Sequence, residues 1–196
     1  MPLLLRNIGQ LATCPGNQAP QNAGLIDRAA LLIDGGQVAW AGPEASLPQL
    51  PGNAESMDCA GRLVIPGLVD CHTHLAFGGW RDDEFEQRLE GRSYQQIAAG
   101  GGGIGRTVQA TREADDRLLH GRARAALDGM LALGVTTVEA KSGYGLDLET
   151  ELRVLELYRA LDAEHPVDIV PTCLAAHVVP EEYADRLDAS SREKWQ

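Results

Sequence analysis

The 196-residue sequence lacks any apolar run approaching the roughly 18 residues that a membrane span requires. Its first residues, MPLLLRNIGQ, carry no basic segment ahead of a short apolar run, so we expect no signal peptide. Positive charge is also scarce, because 17 lysines and arginines stand against 28 aspartates and glutamates, for a net charge of −11. Such acidity argues against nucleic acid and anionic membranes as partners. These absences predict a cytoplasmic protein.

Cysteine is sparse as well, with four residues and no CxxC motif. Cys14, Cys59, Cys71 and Cys173 are widely spaced, which favours buried, reduced thiols over a disulfide framework. The 44% of hydrophobic residues is typical of a globular protein with a core. The length predicts one domain, or one domain and a part of another.

The first sixty residues alternate short apolar runs with turn-forming residues, which predicts a small β module over residues 1–65. The segment Leu3–Ile8 is typical of a strand. Residues 28–42 predict a hairpin that turns at Asp34-Gly35-Gly36, where glycines supply positive φ angles.

Strand and helix patterns alternate in residues 66–196. Strands are expected over 68–74, 135–140 and 167–176, and helices over 107–133 and, capped by Asp147, over 148–164. A long glycine-rich connection is expected from Ala76 to about Arg106, and another helical pattern begins at Glu181. This order predicts a parallel sheet, whose functional residues lie at the carboxyl ends of its strands.

Two histidines lie near the end of the first of these strands. Residues two apart on a strand share a face, so His72 and His74 point the same way, with Asp70 two residues earlier. Neutral imidazoles suit zinc and iron, and a nearby carboxylate can hold an imidazole N–H. On spacing alone, a pair of ordinary strand histidines remains an alternative.

Three further residues stand near strand ends. Arg81, in GGWR, can bind a substrate carboxylate through paired hydrogen bonds, although most arginines are solvated surface charges. Tyr144, between two glycines in KSGYG, either contacts a substrate or packs in a turn. His177 could be a metal ligand, a proton carrier, a substrate hydrogen-bond donor or a satisfied structural histidine.

The stretch GGGGIG, residues 100–105, formally fits the dinucleotide pattern GxGxxG. That pattern requires a strand immediately before it. The preceding SYQQIAA is helical in character, so we expect a tightly turned or mobile loop over the site rather than a dinucleotide site.

The stretch VIPGLVDCHTHL, residues 64–75, resembles the opening strand of the amidohydrolase superfamily, with its signature P-G-[LF]-[VI]-D-x-H-x-H. Three further stretches resemble the imidazolonepropionase family within it. They are FGGWRDDEFEQRLEGRSYQQIAAGGGGI, GVTTVEAKSGYGLDLETELRVL and AAHVVPEEY.

The resemblance implies an α/β fold, a TIM-type (β/α)8 barrel beside a small β-sandwich, of which this chain holds the first strands. It implies hydrolysis of a ring C–N bond of 4-imidazolone-5-propanoate, giving N-formimidoyl-L-glutamate in histidine degradation. One zinc or iron ion would be bound by His72 and His74. The resemblance assigns substrate contacts to Arg81, Tyr144 and His177, and His177 would also stabilise developing charge.

The sequence holds three barrel strands and two metal ligands, whereas such a barrel takes about 250 residues and a catalytic zinc site takes three protein ligands. We therefore expect part of a longer enzyme, inactive by itself, with the remaining ligands and an acid–base carboxylate elsewhere. The alternatives are an inactive truncated protein that associates through its open barrel edge, or a related amidohydrolase acting on another cyclic amide or amidine. A homodimer is compatible with each of these three interpretations.

Overall fold

A computed structural model describes residues 1–16, 23–50, 52–175 and 177–178. The chain divides into two compact units, Met1–Pro66 and Gly67–Gln196. Within the described ranges, the helices are all too short or too polar to cross a membrane.

The N-terminal unit contains one five-stranded sheet. Its strands are β1 (Leu3–Ala12), β2 (Leu25–Asp34), β3 (Gln37–Pro43), β4 (Glu55–Asp58) and β5 (Leu63–Val64). The order is β3-β2-β1-β4, with β5 also pairing with β1. The predicted hairpin is confirmed, since β2 and β3 pair antiparallel and Gly35 and Gly36 have φ angles of 58° and 77°.

Strand β1 extends four residues beyond the predicted end at Ile8. Its pairing with β2 continues to Ala12, because Ile8 and Leu11 remain buried against the sheet. The described residues of this unit form a single sheet, and the expected β-sandwich is seen only as this one layer.

The second unit is a parallel sheet with helices. Its strands are β6 (Leu68–Thr73), β7 (Val135–Lys141) and β8 (Asp168–Thr172), in the order β6-β7-β8. Both pairings are parallel, which confirms the predicted sheet type. The helices are α1 (Asp82–Leu89), α2 (Tyr94–Ala99), α3 (Ile104–Glu113), α4 (Asp116–Ala132) and α5 (Leu148–Glu164).

The helices of this unit differ from the prediction in two places. The connection from Ala76 to Arg106 contains α1, which was not predicted, and α2, which confirms the helical character of SYQQIAA and begins with a capping box between Ser93 and Gln96. The single helix expected over 107–133 is two helices, because Asp115 is extended and its side chain accepts the backbone N–H of Leu118, which starts α4. The pattern beginning at Glu181 lies outside the described residues.

Helices α4 and α5 pack on one face of the parallel sheet. The core residues shared by helices and sheet are Leu119, Ala123, Leu127, Val154, Tyr158, Leu161, Val138, Ala140 and Ile169. Because alternate strand residues point to opposite faces, this packing directs the intervening polar residues of β7 to the other face.

The prediction about the cysteines was right in part. All four are free thiols, as expected, but Cys14, Cys71 and Cys173 are exposed rather than buried. Cys71 is exposed because it lies on β6, most of whose residues are exposed.

Candidate active site

Polar side chains occupy the face of the parallel sheet that lies away from α4 and α5. Lys141 Nζ donates to Glu139 Oε1 at 2.5 Å, and Thr172 Oγ1 donates to the same oxygen at 2.7 Å. Lys141 and Thr172 hold the pKa of the Glu139 carboxyl below its usual value, with a smaller electrostatic contribution from His72. Sequence reasoning missed Glu139, although its place between buried Val138 and Ala140 was a usable signal.

The two predicted metal ligands lie together at the end of β6. The strand ends at Thr73, one residue earlier than expected, so His74 follows it directly. The ring centroids of His72 and His74 are 6.0 Å apart. Burial, followed by the nearby His72, His177 and Lys141, lowers the pKa of His74. The His74 ring is therefore neutral near pH 7, which is the form that binds metals.

The geometry of this pair fits a shared metal ion. His74 Nδ1 is buried and has no hydrogen-bond partner. A zinc–nitrogen bond is about 2.0 to 2.1 Å long, so rings at this separation can approach one ion from two sides. Over the described ranges, no group of three or more histidine, cysteine, aspartate or glutamate side chains could hold a metal. This part of the chain thus offers two imidazoles.

Asp70 lies beside the histidines, as its spacing predicts. Its Oδ1 accepts the backbone N–H of His72 at 3.2 Å, which ties the carboxylate to the strand end. A role in orienting an imidazole ring stays a prediction.

Tyr144 lies against His74, and His177 lies against the neighbouring Gly143. The Tyr144 ring lies against His74, with centroids 4.7 Å apart. Gly143 has a φ angle of 110°, and a Cβ placed on it would lie 2.9 Å from Cε1 of His177. Glycine at this position therefore allows the close approach of His177. His177 Nδ1 lies 2.7 Å from the carbonyl oxygen of Leu174.

A cavity of about 480 Å³ opens beside these rings, which is within the range of small-molecule pockets. Three residues predicted from the sequence line it: His74, Arg81 and Tyr144. Its wall also includes Phe77, Trp80 and Arg88, which sequence reasoning missed. His72, Asp70 and His177 lie outside this lining.

Arg81 is held in the cavity wall by a buried carboxylate. Its Nη1 lies 3.3 Å from Glu84 Oε2, and its side chain is 32% exposed. Glu84 Oε1 accepts the backbone N–H of Gly103 at 2.8 Å, so the same carboxylate anchors the glycine-rich loop. That loop follows α2 rather than a strand, as the helical character of SYQQIAA predicts, whereas the dinucleotide pattern requires a strand there.

Solved structures of hydrolases share this fold. An N-isopropylammelide isopropylaminohydrolase from Burkholderia multivorans matches with a TM-score of 0.56 and 23% identity, over 91% of this chain and 39% of that chain. A triazine hydrolase variant matches with a TM-score of 0.60 and 20% identity, over 88% and 35%. At these identities the likeness shows the fold alone, a mixed α/β fold. No protein-family model matches the chain.

Comparison of amino-acid sequences identifies relatives with much higher identity than these solved structures. The imidazolonepropionase of Paracoccus denitrificans is 52% identical over 162 residues, which is 83% of this chain and 40% of that protein. The imidazolonepropionase of Agrobacterium fabrum is 48% identical over 184 residues, 93% of this chain and 43% of that protein. The predicted resemblance is confirmed: the chain is a homologue of imidazolonepropionases and spans about 40% of the length of the curated relatives it matches.

Proposed function

We propose that these residues form part of an imidazolonepropionase, which hydrolyses the ring C–N bond of 4-imidazolone-5-propanoate to N-formimidoyl-L-glutamate. The observation that carries the proposal is the cavity that His74, Arg81 and Tyr144 line together. It is supported by the 52% identity to the Paracoccus denitrificans enzyme. The net charge of −11 is compatible with a cytoplasmic enzyme acting on a small molecule.

The proposed whole is a TIM-type (β/α)8 barrel with a β-sandwich beside it. The parallel strands β6, β7 and β8, covered on one face by α4 and α5, are what the first barrel units would contribute. In a closed barrel the other face would point inward. That orientation would account for the polar side chains of His72, Glu139 and Lys141 on the uncovered face. The five-stranded sheet would be this chain's share of the sandwich.

One zinc or iron ion would be held by His72 and His74, with its other ligands outside the described residues. Imidazole nitrogens suit both metals, and the unpartnered Nδ1 of His74 supports a ligand role for that ring. When bound, such an ion supplies a hydroxide from water near neutral pH.

The residues of this chain would bind and orient the substrate. Arg81 would take the propanoate carboxylate through charge-assisted hydrogen bonds, since Glu84 already holds its guanidinium in the cavity wall. The Tyr144 ring would cover His74 and keep bulk water from it. Because the Leu174 carbonyl only accepts, His177 would carry its proton on Nδ1, and its Nε2 would be left to accept a proton at the substrate and return it.

The test is turnover of 4-imidazolone-5-propanoate by a purified full-length chain that contains residues 1–196, with the product identified by chromatography. We expect turnover that a chelator abolishes and that zinc or iron restores. Faster hydrolysis of a different cyclic amide or amidine in a matched panel would contradict the substrate assignment. Metal-independent turnover would contradict the metal assignment.

A further inference from the structure

The carboxylate of Glu151 lies inside the loop that carries Tyr144. Glu151 is in the first turn of α5 and is 2% exposed. Its Oε2 accepts the backbone N–H of Gly143, and its Oε1 accepts those of Gly145 and Leu146, each at 2.8 Å. The loop thus wraps three amides around one buried anion.

The direction of α5 explains this contact. Long side chains on a helix lean toward its N-terminus, and the loop enters the helix from that side. A buried charge is costly unless hydrogen bonds compensate it, and here the backbone of the loop provides them. Since these hydrogen bonds form only in this loop conformation, the buried carboxylate stabilises that conformation over others.

The loop conformation is not one that the backbone favours by itself. Gly143 has a φ angle of 110°, and Leu146, a residue with a branched side chain, has a φ angle of 56°. Residues other than glycine persist in the left-handed region when their surroundings impose it. The bond from the Leu146 N–H to Glu151 is one such constraint.

Both neighbours of Tyr144 are fixed by this carboxylate. Gly143 and Gly145 donate to opposite oxygens of Glu151, so the backbone on each side of Tyr144 is held. The Tyr144 ring rests on His74, and Gly143 packs against the His177 ring. One anion therefore controls where two of the proposed substrate residues lie.

We propose that Glu151 is a positioning residue, whose carboxylate gathers the amides of Gly143, Gly145 and Leu146 and so sets Tyr144 over His74 and His177 against Gly143. This role rests on the proposed function, because Tyr144 and His177 are its substrate contacts. Glu151 acts on the substrate only through them, and it holds the backbone on both sides of Tyr144, so its loss should change substrate affinity more than the chemical step.

The test compares Glu151→Gln with Glu156→Gln in the full-length enzyme. Glutamine keeps the size of the side chain, but its NH₂ group must face at least one N–H that the carboxylate accepted. Glu156 is exposed on the same helix, so its substitution controls for lost charge. We expect Glu151→Gln to raise KM roughly tenfold or more while kcat changes less, and the control to change neither.

Hydrogen exchange provides a readout that does not depend on turnover. In Glu151→Gln, the amides of Gly143, Gly145 and Leu146 should exchange roughly tenfold faster or more, while those of β7 stay protected. If this exchange changes but the wild-type enzyme does not convert the substrate, the proposed function fails and the loop contact stands. If the wild type converts the substrate but neither exchange nor KM responds, the positioning role is refuted.

A double substitution separates positioning from general damage. In a Tyr144→Ala background, Glu151→Gln should raise KM by less than about threefold, because the Tyr144 ring, whose two neighbours Glu151 holds, is no longer there to misplace. A full, additive effect in that background would refute action through Tyr144. Should Glu151→Gln not fold, Glu151→Asp keeps the charge on a shorter stem, and unchanged exchange and KM in that variant would equally refute the proposal.

Discussion

The hydroxyl of Tyr158 links two segments that carry the candidate site. Tyr158 is fully buried on α5; its hydroxyl donates to the carbonyl oxygen of Lys141 at 3.0 Å and accepts the backbone N–H of Ala76 at 3.1 Å. Ala76 lies two residues after His74, and Lys141 ends β7 just before the Tyr144 loop. Tyr158→Phe therefore removes the link and keeps the ring.

The loss of stability expected for Tyr158→Phe follows from these two hydrogen bonds. The substitution leaves the Ala76 N–H, on a residue that is 3% exposed, without its acceptor. An unsatisfied buried donor costs about 1 to 3 kcal/mol, so the free energy of unfolding should fall by about that amount.

The difference in stability between the wild type and Tyr158→Phe also depends on pH. Burial raises the pKa of Tyr158 to about 12, above its ordinary value of 10.0. A raised folded-state pKa means that the stabilisation is complete below pH 10 and is lost as the pH rises toward 12, since the unfolded chain ionises first. At pH 11 the advantage of the wild type over the phenylalanine variant should be smaller by about 1.4 kcal/mol.

The assay is equilibrium urea unfolding of the full-length protein at pH 8 and pH 11, followed by circular dichroism. Tyr94→Phe is the matched control, because Tyr94 is 54% exposed and should show no such loss. A loss below about 0.5 kcal/mol at pH 8 would refute the reasoning about the buried donor. If the difference in free energy of unfolding between the wild type and Tyr158→Phe is as large at pH 11 as at pH 8, the reasoning about ionisation is refuted.

Three further substitutions test the site in the full-length enzyme. His72→Ala should remove most of the bound metal by elemental analysis, and full occupancy would contradict its role as a ligand. Arg81→Ala should raise KM by about 30-fold or more with little change in kcat, since it removes a charge-assisted contact; an unchanged KM would count against carboxylate binding. Gly143→Ala should weaken substrate binding about tenfold, because its Cβ would lie 2.9 Å from the His177 ring. Wild-type affinity in that variant would show that the close approach is not needed.

Much of the second unit could be predicted from local patterns. The bounds of α5 and its cap at Asp147 were predicted correctly, because both depend on residues adjacent in sequence. The placement of His72 and His74 near a strand end also followed from periodicity and order alone. The burial of individual residues did not follow from such patterns, since three of the four cysteines, all expected to be buried, are exposed.

The sequence by itself determined the alternation of strands and helices, the parallel sheet and the strand-end positions of the histidines, because these depend on short-range periodicity and capping. Only the tertiary structure decided which polar side chains became buried anchors. Glu84 reaches Gly103 across 19 residues, and Tyr158 reaches Ala76 across 82. No local period relates such partners, because a buried polar group takes whichever donor or acceptor the folded chain brings to it.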